Sequence, residues 1–442
     1  MQKWLTMTAA DLGRGIGTGE IDPVALTQTY LDAIDAHPHR DRIYSVVTHK
    51  RALAEAGAAQ ARAKAGQRFG PLDGVPISWK DLFDTAGTAT ESGSALLKGR
   101  IPARDAEVLH NATMAGLICL GKTHMSELAF SGLGLNPMTA TPPCVNDEGA
   151  VPGGSSSGAG ASVAFNLASC GIGSDTGGSV RIPSAWNDLV GLKTTSGRLS
   201  LDGAVPLCSK FDTVGPLGRS VEDCALMLAA LEGGKAADLA GASLKGARFA
   251  TLQTAVLDDI RDAPRDAYQS AVERLQAAGA EIMPIDVPEV EEALSMSGVI
   301  FTAEAYGIWQ GTIEAAPEKM FPPILERFRL GRDITAPAYI SAWNRLEELR
   351  AAWNARVAEF DAVLMPTAPI LPPNYDRLLS DDEYYVTENL LALRNTRVGN
   401  LLGLSAVTLP TGVPSCGIML CGKPLGEEQL LRVAHAAEAA LS

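Results

Sequence analysis

The chain has 442 residues, enough for a large core, and its 46% hydrophobic and 20% charged residues are the balance of a globular protein rather than a disordered one. A formal charge of −14 argues against a nucleic-acid polyanion as a direct partner, and no Lys/Arg-rich block concentrates positive charge locally. The seven cysteines are scattered and the six histidines form no metal-ligand spacing, so neither a disulfide framework, a metal nor an organic cofactor is expected.

Asp22-Pro23 pairs an N-cap acid with proline at the first helical position and predicts a helix to about Ala36; an Ala-rich helix follows over about His49–Ala65. Gly74–Lys80 is a short apolar run entered through a turn, the pattern of a buried strand ending at Lys80. A helix over 104–117, a strand over 117–121 and a helix of small residues over Ser157–Ala168 come next, then a helix over Arg219–Glu232. Strand–helix alternation resumes with 248–252, 264–278, 280–285, a long helix over 338–360, and strands at 362–366, 406–409 and 417–420 before a final helix from Glu427. This alternation predicts an α/β sandwich on a largely parallel or mixed sheet. One domain over 1–442 is expected, with its catalytic core at about 70–220. Met1–Thr6 has no apolar signal region, so a cytoplasmic enzyme is expected.

Between Glu148 and Asp175 there is no charged residue, yet the stretch is too rich in Gly, Ser and Pro for a membrane span and must be buried inside protein. Three look-alike motifs fall within reach of it. Gly153-x4-Gly158 lacks the lysine of a phosphate loop. Gly154-Ser155-Ser156-Ser157-Gly158 matches a nucleophile elbow, but the only later histidine is His435 in the last helix. Asp175-Thr176-Gly177 matches an aspartic-protease tripeptide, but no second copy exists. What remains is a hydroxyl-rich site without a usable histidine. A serine needs an adjacent base, and a buried lysine can serve because desolvation disfavours its ammonium form. Lys80 ends an apolar run and is the best candidate, although composition alone leaves open a surface lysine after a strand.

The chain resembles the amidase signature family over nearly its whole length. The resemblance is carried by Gly74–Asp81, by Pro152–Gly158 and by Asp175-Thr176-Gly177-Gly178-Ser179-Val180-Arg181-Ile182-Pro183, with supporting blocks at Gly121–Thr123, Asp212–Pro216 and Met365–Thr367. It implies an α/β/α sandwich around one large mixed β-sheet, and an amidohydrolase working through an acyl-enzyme on a small amide, carbamate, anilide or ester. In that pattern Ser179 is the nucleophile, Ser155 the proton relay, joined to Ser156 through a cis peptide bond, and Lys80 the general base. The N–H groups of Thr176, Gly177, Gly178 and Ser179 are implied to meet the oxyanion, and Ala129 to Ser131 to line the acyl pocket. Asp175 and Arg181 are implied to hold the nucleophile loop and Ser156 to support Lys80. The partner expected is a small amide-like molecule, with no nucleic acid and no membrane, and homodimers are frequent in the family. Two alternatives remain: the amidase subunit of a tRNA-dependent amidotransferase, and a non-catalytic binding protein that retains the fold. His124, Trp79, Thr194-Thr195 and Ser415–Met419 depart from the family pattern, so the resemblance carries mechanism rather than substrate identity.

Overall fold

The computed structural model describes residues 2–442. Eleven strands form one mixed sheet: β1 (Tyr44–Val47), β2 (Pro76–Lys80), β3 (Ile118–Thr123), β4 (Cys170–Ser174), β5 (Val190–Lys193), β6 (Val214–Gly218), β7 (Arg248–Leu252), β8 (Glu281–Ile285), β9 (Ala362–Pro366), β10 (Ala406–Pro410) and β11 (Gly417–Cys421). Their order is β1-β3-β2-β4-β6-β5-β10-β11-β9-β7-β8. β2 runs parallel to both β3 and β4, and β9-β7-β8 are parallel to one another; every other pairing is antiparallel.

Every residue of β2, β3, β4, β5, β6, β9 and β11 is buried. Successive strand side chains point to opposite faces, so burial of all of them requires helices on both sides of the sheet. Edge strand β8 is the contrast, half-exposed along its length with Pro284 inside it, where a missing donor does no harm. The main apolar core runs from Ala9 to Leu441 and joins both halves of the sheet to the flanking helices.

The helices over Pro23–Ala36 and His49–Ala65 stand where the sequence predicts them, and the Asp22 carboxylate accepts the Ala25 N–H at 2.9 Å as an N-cap should. The small-residue helix is shorter than expected, Ser157–Ala164, because Asn166 turns into the left-handed region at φ 62°. Its packing on β4 is very close: a Cβ on Gly171 would lie 2.7 Å from the Ala159 carbonyl oxygen, and one on Gly173 would lie 2.6 Å from Ser156 Oγ. Glycines in β4 therefore seat the Ser155–Ser157 segment directly against the sheet. Elements the sequence did not reveal include β1, β5 and β6, a helix over Ser297–Ile313, and a helix over Asp382–Leu401.

Candidate active site

Lys80 is the last residue of β2, and β4, its parallel neighbour, ends at Ser174. The carboxyl ends of adjacent parallel strands are where an open α/β sheet offers a crevice. Lys80 is completely buried, and its Nζ lies 2.7 Å from Ser155 Oγ and 2.8 Å from Ser174 Oγ. Burial pushes the Lys80 ammonium down from 10.5 to about 7, against the opposing pull of Asp175 and Asp212. Two other lysines are buried as deeply. Lys122 is held by Asp81 and Thr90, and Lys193 by the carbonyls of Thr194 and Leu404. Neither touches a serine of the Gly-Ser segment; only Lys80 does.

Ser155 follows a cis peptide bond, but that bond joins Gly154 to Ser155 rather than Ser155 to Ser156 as the resemblance implied. The position is one where the backbone is crowded: a Cβ on Gly154 would lie 2.5 Å from the Gly134 nitrogen, so only glycine fits the bend. The Ser155 carbonyl then accepts the Ser126 N–H at 3.1 Å. Ser156 does not touch Lys80. Its hydroxyl donates to the Ser174 carbonyl at 3.2 Å and its N–H to the Ser179 carbonyl at 3.2 Å, so it ties together the two segments that carry Ser155 and Ser179.

The turn from Asp175 to Ser179 is organised by a buried carboxylate. Asp175 accepts the Gly178 N–H at 2.9 Å, the Val180 N–H at 3.1 Å and a two-pronged contact from Arg181 at 2.9 and 3.0 Å. Burial alone would raise its carboxyl, but Arg181, followed by Lys193 and Asn400, holds it well below the usual carboxylate range. Gly178 sits at φ 141° with Thr396 Oγ1 only 2.1 Å from where a Cβ would be, so no side chain is tolerated. Because its N–H is committed to Asp175, Gly178 drops out of the expected set of oxyanion donors. The N–H groups of Thr176, Gly177 and Ser179 have no acceptor among the described residues.

Ser179 opens into a narrow cleft of about 30 Å³ whose walls include Ala129, Ser131, Thr176 and Gly177, with Phe301, Leu393 and two arginines, Arg327 and Arg397. A larger, mainly apolar cavity of about 520 Å³ continues outward past Phe130, Phe301, Arg327 and Arg397. The Ser131 hydroxyl is held from two sides, accepting from Tyr385 OH at 3.1 Å and donating to Asn389 Oδ1 at 3.2 Å. On the helix Asp382–Leu401, Asn389, Leu393 and Arg397 share the stripe facing these cavities. Another stripe braces the turn from Asp175 to Ser179: Thr396 Oγ1 donates to the Gly177 carbonyl at 2.7 Å and Asn400 Nδ2 to Asp175 at 3.0 Å.

The amidase family profile matches residues 25–431. The chain belongs to the amidase family. It is 34% identical over 431 residues to 2-amino-5-chloromuconic acid deaminase of Comamonas testosteroni, covering 95% of this chain and 93% of that one. It is 31% identical over 469 residues to a glutamyl-tRNA(Gln) amidotransferase subunit from Synechococcus sp. (strain JA-2-3B'a(2-13)), covering 97% and 90% respectively. The peptide amidase of Stenotrophomonas maltophilia superimposes with a TM-score of 0.82 at 27% identity, over 98% of this chain and 97% of the other. This amidase is therefore an enzyme acting on carbon–nitrogen bonds of amides. All seven of its cysteines are free and buried, and among the described residues no cluster of His, Cys, Asp or Glu is placed to hold a metal ion. No described helix is long and apolar enough to cross a membrane.

Ser174, Phe301, Arg327, Leu393 and Arg397 escaped the sequence reading. Ser174 was visible only as the last residue before a glycine-rich turn. The other four lie outside the expected core of 70–220, on segments whose local sequence carries no motif.

Proposed function

We propose that this amidase hydrolyses a small amide through an acyl-enzyme on Ser179, with Ser155 as proton relay and Lys80 as general base. The observation that carries the reading is the buried contact of 2.7 Å between Lys80 Nζ and Ser155 Oγ, made by a lysine whose ammonium is depressed to about 7. A neutral Lys80 takes the Ser155 proton as Ser155 takes that of Ser179, and Ser179 Oγ bonds to the amide carbon. The oxyanion that forms meets the N–H groups of Thr176, Gly177 and Ser179. The proton then returns through Ser155 to the amide nitrogen, the C–N bond breaks, and the amine leaves. Water attacks the ester carbonyl with its proton passing by the same route, releasing the acid and restoring Ser179.

A fluorophosphonate probe tests the nucleophile. Wild type is expected to be labelled on Ser179 and Ser179→Ala not at all, while Ser155→Ala and Lys80→Ala lose turnover by roughly 10³-fold or more. Equal labelling of Ser179→Ala, or undiminished turnover without Lys80, refutes the assignment.

The similarity to an amidotransferase subunit favours a second reading, in which the ammonia released is used by a partner. Release of free ammonia or amine from small amides by the purified chain alone supports the stand-alone enzyme; activity only with an added partner protein supports the second.

A further inference from the structure

Most arginines around the site have acidic partners: Arg181 holds Asp175, Arg329 holds Glu314, and Arg261 meets Glu388. Arg327 and Arg397 have none. Arg327 lies on the helix Pro322–Arg329 with its guanidinium 4.5 Å above the Phe130 ring, and its Nη1 is buried without a hydrogen-bond partner. Arg397 packs its stem on the nucleophile turn, where a Cβ on Gly177 would lie 3.7 Å from its Cγ. Both line the cleft that holds Ser179 and the larger cavity outside it. Burial lowers Arg397 to about 9, with Arg327 adding to the effect, and burial lowers Arg327 to about 10. Both remain cationic at neutral pH.

Glu326 and Asp382 also line the larger cavity, but neither makes an ion pair with Arg327 or Arg397. Glu326 is paired with Arg329 at 3.0 Å, Glu127 accepts from Ser94 and from the Phe321 N–H, and Asp382 is exposed at the start of its helix. Two half-buried like charges without an acidic partner cost stability unless something anionic meets them. A guanidinium presents paired N–H donors that match a carboxylate, and the aromatic face of Phe130 leaves the edge of Arg327 free for one.

We propose that Arg327 and Arg397 bind a carboxylate of the substrate, so that this amidase acts on short amides carrying a free carboxylate a few bonds from the scissile carbonyl. The inference rests on the Ser179 reading and deepens it. The narrowness of the cleft keeps the acyl part short and places the carboxylate on the cleft wall rather than out in solvent.

Matched pairs test it: succinamate against succinamide, and glutaramate against glutaramide. Wild type is expected to prefer the anionic member by about a hundredfold in kcat/KM, chiefly through KM. Arg327→Gln and Arg397→Gln should each bring that ratio down to about tenfold or less, with Arg→Lys recovering part of it. Succinate binding measured by calorimetry reads the arginines independently of the nucleophile, and it should be lost in both Gln variants. Each Gln variant should melt at the same temperature as wild type or higher, because an unpaired half-buried charge has been removed. Fluorophosphonate labelling of Ser179 without any preference for the anionic amides, or a preference untouched in both variants, overturns the inference while the Ser179 reading stands. Absent labelling with intact succinate binding has the opposite meaning: the nucleophile assignment fails and the carboxylate site stands.

Discussion

Lys80 gives the most demanding test, because one property of the lysine governs both rate and stability. Its shift from 10.5 to about 7 raises the neutral fraction near pH 8 from well under one per cent to about nine-tenths, a gain of roughly 300-fold in available base. A base works in its neutral form, so kcat/KM on a small amide should rise about tenfold between about pH 6 and about pH 8 and then level off. The same shift costs stability, about 5 kcal/mol at about 1.4 kcal/mol per tenfold. Below about pH 7 the ammonium is buried in the folded state and the whole cost is present. Between about 7 and 10.5 the unfolded chain binds a proton that the folded chain does not, so stability rises with pH. Lys80→Met should therefore be inactive yet more stable than wild type by a few kcal/mol near pH 6, an advantage that disappears or slightly reverses near pH 10. The 5 kcal/mol is an upper bound, since Ser155 and Ser174 each lose a hydrogen bond of about 1 kcal/mol in the variant. Urea melts of both proteins at three pH values, beside a pH–rate profile, make the measurement. A flat profile across pH 5.5 to 9, or a stability difference independent of pH, would refute the reasoning.

Two further outcomes are expected from the surroundings of the site. Gly178→Ala drives a Cβ to within 2.1 Å of Thr396 Oγ1, 2.7 Å of Thr396 Cβ and 2.9 Å of Ile182 Cδ1 at φ 141°, so fluorophosphonate labelling should vanish; labelling as strong as in wild type would refute the crowding of that turn. Burial pushes the Glu127 carboxyl up to about 7, so its share of stability is complete below about 4.5 and is lost as pH climbs through 7. Glu127→Gln, which can still accept from Phe321 and donate to Ser94, should raise the melting temperature at pH 8 and leave it nearly unchanged at pH 4.5. A uniform shift at both pH values would argue against the buried ionisation.

What the sequence made legible follows from where the information sits. Asp22-Pro23 and the Ala-rich stretch over His49–Ala65 declare helices locally, and the apolar run into Lys80 declares a buried strand. β5 and β6 went unseen because Gly191, Gly215 and Pro216 break any recognisable strand pattern, and their pairing is fixed only by neighbours distant in the chain. The helix Asp382–Leu401 was missed because it buries residues around most of its circumference, which erases the polar and apolar sides that reveal a surface helix. At the site, the resemblance to the amidase signature family pointed to the residues that lie in its motifs: Lys80, Ser155, Ser179 and Asp175. Ser174 was not recoverable, since its role depends on the end of β4 lying beside the end of β2. Arg327 and Arg397 were invisible for a different reason. An arginine without an acidic partner is defined by what surrounds it in space, and a linear sequence shows nothing of that.

The helix Asp382–Leu401 has two working faces, and this divides the freedom of the chain to change. Thr396 and Asn400 brace the nucleophile turn and are tied to it by hydrogen bonds, so drift at those positions endangers the reaction itself. Asn389, Leu393 and Arg397, one helical turn apart from each other, face the cavity instead. On the proposed mechanism, a lineage built on this fold can rewrite that single stripe and acquire a new diet, with the proposed Lys80, Ser155 and Ser179 unit carried unchanged on β2 and the turns that follow the glycines. Duplicated copies of such a gene would diverge first along positions 389, 393 and 397, and hardly at all at 396 and 400.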